Sequence, residues 1–232
     1  MGFGNGPRIV TDGLVLSLDA ADRNSYVSGS TVWNDVSGNN YSGSLINGPT
    51  FSNNSIVFDG VDDYIDCGAA STSIIRGTSQ FTLNYWFKKV SSNHDFLLGT
   101  LDHLAEKGFF IQWFASDSNV YFGVFNGSRT YNYVNLPYNN NWLNFAFVFD
   151  GSLLGSTNIA KLYINSTQQS LTNSGGMPTS VPTNVLTFFI GKLTNYGEIA
   201  KGNLGNVLLY NRALSSTEIL QNYNAQKSRF GL

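Results

Sequence analysis

Residues 205–223, Gly-Asn-Val-Leu-Leu-Tyr-Asn-Arg-Ala-Leu-Ser-Ser-Thr-Glu-Ile-Leu-Gln-Asn-Tyr, join an apolar strand to a capped helix. The strand is Asn206 to Tyr210, and Ser215 then stands three residues before Glu218. This spacing is a capping box: the Ser215 hydroxyl accepts from the Glu218 amide while the Glu218 carboxylate reaches back to the Ser215 amide. Leu214 and Ile219 occupy the staple positions on either side of the cap. The pattern predicts a helix from Ser216 to about Gln226, with Ile219, Leu220 and Tyr223 buried and Asn222 and Asn224 outward. The run therefore reads as a closing β-strand followed by a capped helix.

The rest of the chain reads as strand. Apolar runs recur at spacings of roughly ten residues, separated by Asn, Gly and Ser, which is the pattern of an all-β domain. Strands are expected near 14–19, 55–59, 63–67, 80–89, 95–100, 107–115, 119–125, 130–134, 142–150, 159–165, 184–191 and 204–210. The runs 81–87 and 142–149 alternate large aromatics with small or polar residues, so each should bury one face in a sandwich core. Asp117-Ser-Asn119 and Asn126-Gly127 supply turn chemistry. Residues 166–183, with Gly175, Gly176, Pro178 and Pro182, form the longest expected loop and the expected flexible segment.

Two signatures at opposite ends of this pattern carry a family resemblance. Residues 210–215, Tyr-Asn-Arg-Ala-Leu-Ser, and residues 55–66, Ser-Ile-Val-Phe-Asp-Gly-Val-Asp-Asp-Tyr-Ile-Asp, resemble the closing and opening signatures of laminin-G-like domains in the concanavalin A-like lectin/glucanase superfamily. The opening run from Gly13 and the turn 33–39 fit the same pattern, and 161–165 resembles the family's Leu-Tyr-Val-Asn-Gly hairpin with Ser166 in place of the glycine. The resemblance implies a concanavalin A-like jelly-roll β-sandwich of two antiparallel sheets with a short C-terminal α-helix. It spans about residues 13–226, leaving 1–12 as an N-terminal arm and 227–232 as a C-terminal tail. Such ends fray more often than they function, although Phe230 and Leu232 could instead dock on a neighbouring subunit.

Composition narrows the function. Charged residues make up only 12% of the chain, the formal net charge is −2, and 42% of residues are hydrophobic. That surface is polar but weakly charged, which suits hydrogen bonding to sugars and argues against a nucleic-acid partner. Cys67 is the single cysteine, so no intrachain disulfide forms, and its place in a strand makes it a small core residue rather than a nucleophile. No run approaches the length of a membrane span, and the N-terminus lacks the basic and apolar regions of a signal peptide. A soluble chain made in the cytoplasm, with no membrane insertion, is the expectation.

An enzyme is not expected. Sugar-cleaving relatives of the resembled fold use an E-x-D-x-x-E strand, whereas the three glutamates here, Glu106, Glu198 and Glu218, lack that spacing. His94-Asp95 and Asp102-His103 flank an apolar strand, but no nucleophile elbow accompanies them, so they read as solvated loop residues.

Two candidate binding sites remain. Asp59, Asp62 and Asp63, with Asp66 nearby, are the one acidic group dense enough for a hard cation, and the resemblance implies Ca²⁺ at a sandwich rim; the alternative is a turn whose carboxylates accept backbone amides. Asp35 and Asn39 would complete the ion's shell if the turn at 33–40 lies close. Tyr131, Tyr133, Tyr138, Asn140 and Trp142 could line a rim that stacks on sugar rings, the alternative being strand aromatics packed in the core. By resemblance, domains with these signatures occur among structural proteins of tailed bacteriophages. That implies a virion surface protein, a capsid decoration or tail-fibre component, made in the host cytoplasm, touching other virion proteins, its own copies and host surface polysaccharide. The competing reading is a carbohydrate-binding adhesion module of a bacterial surface or secreted protein.

Overall fold

A computed structural model describes residues 7–73, 75–92, 96–114, 116–184, 187–194, 197 and 200–232. In chain order the strands are β1 (Leu14–Asp19), β2 (Val32–Trp33), β3 (Gly43–Ile46), β4 (Thr50–Ser52), β5 (Ser55–Asp59) and β6 (Tyr64–Asp66). Next come β7 (Gln80–Lys89), β8 (Phe96–Gly99), β9 (Lys107–Trp113), β10 (Asn119–Asn126), β11 (Asn132–Asn135) and β12 (Trp142–Asp150). A single-turn helix α1 (Ser156–Ile159) precedes β13 (Ala160–Ile164), β14 (Thr167–Gln168), β15 (Thr172–Asn173), β16 (Phe189–Ile190) and β17 (Lys201–Tyr210), and α2 (Ser216–Gln226) follows.

These strands form two antiparallel sheets. One runs β14-β13-β12-β7-β17-β5-β4 with β1 beside the far half of β17; the other runs β15-β11-β10-β9-β8-β16-β6-β3-β2. The inward residues of both close on one core in which Phe81, Tyr85, Phe87, Phe96, Phe109, Phe122, Phe145 and Phe147 are buried. Phe81 alone meets Phe109, Phe147 and Phe149 at ring distances of 4.8, 5.3 and 5.5 Å. The fold is the expected jelly-roll sandwich, with aromatic pairs bridging the two sheets.

The middle strands of the first sheet are buried on both faces, not one. Outward residues Thr82, Asn84 and Trp86 of β7 and Ala146 and Val148 of β12 are also buried. The cover is α2, the segment from Ile9 to Leu14 and the C-terminal tail. The capping box forms as expected, and Leu214 and Ile219 are both buried beneath it. The buried stripe, however, is rotated from the expected one: Asn222 is fully buried and Leu220 is 45% exposed. Asn222 is drawn in because its Oδ1 accepts from the Val10 amide at 2.8 Å and its Nδ2 donates to the Tyr210 hydroxyl at 3.0 Å. The Tyr210 hydroxyl in turn donates to the Val10 carbonyl. The closed triangle satisfies an N-terminal segment that has no strand partner, which an apolar side chain could not do.

The tail departs from expectation in the same way. Residues Lys227–Phe230 form a 3-10 turn, and the Phe230 ring stacks on Trp86 at 4.2 Å and lies 4.7 Å from Trp142. Arg229 makes two hydrogen bonds to the Asp19 carboxylate, at 2.7 and 2.8 Å. Gly205 makes room for this: a Cβ there would stand 2.6 Å from the Phe230 ring. The tail is therefore packed on its own sheet.

The segment 166–183 is also anchored. It contributes β14 and β15 to the sheet edges, buries Met177 and Val181, and exchanges backbone hydrogen bonds between Val181 and residues 77–78. The strand expected over 184–191 is reduced to β16 among the described residues. β2, β3, β4, β14 and β15 are too short to show a two-residue alternation, and they went unseen in the sequence.

A candidate sugar-binding pocket on the nine-stranded sheet

The rim proposed from sequence is divided by the topology. The chain passes from one sheet to the other between β11 and β12, so Tyr131 and Tyr133 belong with the nine-stranded sheet while Trp142 belongs with the eight-stranded one, under Phe230. Tyr138 and Asn140 lie in the connection, and neither is among the residues around Tyr131 that line the pocket described below. Of the five residues, Tyr131 and Tyr133 are brought together, and they share a face with residues that the sequence reading passed over.

That face is the outer side of β9, β10 and β11. Along β10, Val120, Phe122 and Val124 enter the core, so Tyr121 and Phe125 point out. Tyr121 pairs with Gln112 on β9 and with Tyr133 on β11. Its ring stacks on Tyr133 at 5.2 Å and meets Tyr131 and Phe114 edge-on at 5.2 and 5.1 Å. Phe110 and Phe125 meet edge-on at 5.0 Å in the floor. Gly123 sits between the two outward aromatics because the Thr130 carbonyl would lie 2.8 Å from a Cβ there. The turn after β10 can thus fold back and raise Tyr131 and Arg129 as a wall.

The result is a pocket of about 290 Å³ lined by aromatic rings and by His103, Gln112, Ser116, Asp117 and Arg129. Its polar groups are held in place. The Tyr121 hydroxyl donates to Asp117 Oδ2 at 2.6 Å, and the Asn119 amide donates to Asp117 Oδ1 at 3.0 Å. Burial pushes the Asp117 carboxyl up, but these hydrogen bonds outweigh it and hold the pKa below the ordinary carboxylate value. The Tyr121 hydroxyl is pushed up, by burial first and then by its bond to Asp117. Arg129 Nε donates to Glu106 Oε1 at 2.7 Å, and the Gly127 amide donates to the Glu106 carbonyl, joining the two loops of the wall. A signal for Tyr121 was present in the sequence, as an aromatic at an outward position of an alternating strand; Asp117 and Arg129 had none, because their meeting depends on how two turns fold.

The acidic group behaves otherwise. Carboxylate oxygens of Asp59, Asp62 and Asp63 lie within 4.8 Å of one another, close enough to hold a metal ion. Two of the three already serve the turn between β5 and β6: Asp63 Oδ2 accepts from the Asp59 amide at 2.9 Å and Asp59 Oδ1 from the Val61 amide at 2.7 Å. Burial, ahead of the nearby Asp59 and Asp62 charges, raises the Asp63 pKa. Asp66 is not part of the triad and accepts from the Gly68 amide. Nor does Asp35 join it, since its two oxygens accept from Ser17, Ser37 and Tyr41 amides and so tie its own turn to β1. Asn39 likewise turns to the Val15 carbonyl.

Asp102 and His103 stand in the turn before β9, where Asp102 Oδ1 accepts from the amides of Leu104 and Ala105. His94 and Asp95 lie outside the described residues. Cys67 is buried, and burial drives its thiol far above the ordinary value, which removes it as a nucleophile. No described helix is long and apolar enough to cross a membrane.

Two facing antiparallel sheets, with an aromatic-lined pocket on the outer face of one, define a jelly-roll β-sandwich. The family comparison agrees: residues 59–220 match the concanavalin A-like lectin/glucanases superfamily, and the chain belongs to it. No curated protein matches the chain. Among solved structures it is similar to a Trypanosoma rangeli sialidase in complex with the inhibitor DANA, with 16% identity, a TM-score of 0.69, and 95% of this chain and 34% of that one covered. It is also similar to the binding domain of botulinum neurotoxin serotype D, with 16% identity, a TM-score of 0.66, and 94% and 53% covered. The receptor binding domain of a botulinum neurotoxin C/D mosaic serotype gives 16%, 0.66, 94% and 52%. The chain spans about a third to a half of these structures, and at such identity the likeness is one of fold.

Proposed function

We propose that this protein is a non-enzymatic carbohydrate-binding module that holds glycan in the pocket between Tyr121, Tyr131 and Phe110. The observation that carries the reading is the pairing of Tyr121 with Asp117: an aromatic face for the C–H side of a sugar, with an oriented carboxylate beside it to accept hydroxyls. A single carboxylate among the described lining residues favours binding over the two-carboxylate hydrolysis that most glycoside hydrolases use. The hydrogen bonds that lower the Asp117 pKa favour its carboxylate over the protonated form that a general acid needs. A calcium ion, where present, belongs at Asp59, Asp62 and Asp63, which are not among the pocket's residues.

The setting supported by the Tyr-Asn-Arg-Ala-Leu-Ser signature at residues 210–215 is the surface of a bacteriophage particle, as a capsid decoration or tail-fibre component beside other virion proteins and its own copies. There a glycan-binding face would meet host polysaccharide. The test is a glycan array probed with the protein and with Tyr121→Ala. Binding of defined glycans that is lost in the variant, while the melting temperature stays within a few degrees, is the expected result. An array with no bound glycan refutes the reading.

A further inference from the structure

Resting on that reading, we infer that the pocket takes a single uncharged sugar unit at the end of a chain and turns acidic sugars away. Size is the first argument. At about 290 Å³ the cavity lies at the lower end of the range for small-ligand sites, roughly 300–1,000 Å³, so it accepts one ring and not an extended segment. Phe110, Phe114, Phe125, Tyr121 and Tyr131 supply apolar faces on several sides, which suits a terminal ring entering end-on.

Charge is the second. Of the lining residues, Asp117 and Arg129 carry full charges. The cation is ion-paired: Arg129 Nε lies 2.7 Å from Glu106 Oε1, so the two charges sum to zero. Asp117 is different, because its bonds are to the Tyr121 hydroxyl and the Asn119 amide and no cation pairs with it among the described residues. The pocket therefore holds one uncompensated negative charge. Each carboxylate oxygen has two acceptor sites, so Asp117 keeps acceptor capacity for ligand hydroxyls after serving Tyr121 and Asn119. A sugar carboxylate or sulfate placed there would meet a like charge beside a guanidinium whose own charge Glu106 offsets. Like charges about 6 Å apart, at an effective dielectric of about 40, repel enough to weaken binding roughly tenfold.

The experiment compares glycans of one common core capped by a neutral hexose, an N-acetylhexosamine, a uronic acid, a sialic acid or a sulfated hexose. Affinities are measured for the full chain and for Asp117→Asn at low and high salt. Neutral caps are expected to bind at least about tenfold tighter than acidic ones at low salt. That gap should shrink in Asp117→Asn, and also in the unaltered protein at high salt as the charge is screened. The salt series decides the matter if Asp117→Asn fails to fold. Acidic caps that bind as well as neutral ones, or a gap indifferent to both salt and Asp117, would overturn the inference while leaving glycan binding intact. If no cap of either kind binds, the glycan reading itself fails and takes this inference with it.

Discussion

Replacing Phe230 with alanine should cost about 2 kcal/mol, although the residue is third from the end of the chain. Its ring stacks on fully buried Trp86 at 4.2 Å with planes 15° apart and touches Trp142 at 4.7 Å. Removing it strips roughly 100 Å² of apolar contact from solvent shelter, about 2.5 kcal/mol at 25 cal/mol per Å². Loss of ring stacking adds about 0.5–1.5 kcal/mol. Freeing the tail returns about 1–2 kcal/mol of conformational entropy, which leaves the net near 2. For a chain of this size that is a fall of about 4–8 °C in melting temperature. Thermal unfolding followed by tryptophan fluorescence reads both the stability and the uncovering of Trp86. Leu232, half exposed on the same tail, is the control, and Leu232→Ala should change stability by less than about 0.5 kcal/mol. A melting temperature within 1 °C of the unaltered protein, with unchanged fluorescence, would show that the tail does not pack on the sheet and refute the reasoning.

Glu218 and Ser166 offer two further tests. The Arg212 guanidinium, at 2.6 Å, is the main cause of a Glu218 pKa held down to about 2, with the Ser215 amide and hydroxyl assisting and burial opposing. A carboxyl whose folded pKa lies below its unfolded value stabilises fully above about pH 4.5 and loses that contribution as pH falls toward 2. The full depression would correspond to about 3 kcal/mol, but the pair is partly exposed and screened, so about 1 kcal/mol is expected. Urea midpoints from pH 6 to pH 2 should fall less steeply for Glu218→Gln, and parallel curves would disprove the assignment. At the β13–β14 hairpin, Asn165 and Ser166 both take positive φ, 49° and 63°. Ser166→Gly should relieve that strain and raise the melting temperature by about 1–3 °C, after glycine's added unfolded-state entropy is deducted; a fall would mean that the serine conformation carries no strain.

The hairpin shows how far a linear reading reaches. The apolar run over 159–165 marked a strand because the side-chain period is a local property, whereas the hairpin came from the family resemblance and its return strand β14 falls inside the expected loop at 166–183. The capping box at Ser215 and Glu218 was legible for the same reason, since both its partners lie within one helical turn. The burial of Asn222 was not, because the residue it satisfies, Val10, is 212 positions away. Helical spacing ranks positions by hydrophobicity, and a buried amide that serves a distant backbone group violates that ranking.

The candidate site divides along the same line. Tyr131 and Tyr133 were found as part of an aromatic run, but the run also named Tyr138, Asn140 and Trp142, which the change of sheet after β11 carries away. Asp117, Tyr121 and Arg129 lie close in sequence, on β10 and in the turns at its two ends, but they line one pocket because strand pairing sets Tyr121 opposite Gln112 and Tyr133, and because Gly123 lets the turn at 126–130 fold over the sheet. Alternation, turn residues and the capped helix by themselves determined an all-β sandwich with a helical close, for they express preferences that each segment holds alone. Which outer face is covered by the tail and which keeps an open pocket was decided only in the tertiary structure, where register and crossover bring distant side chains within hydrogen-bonding range.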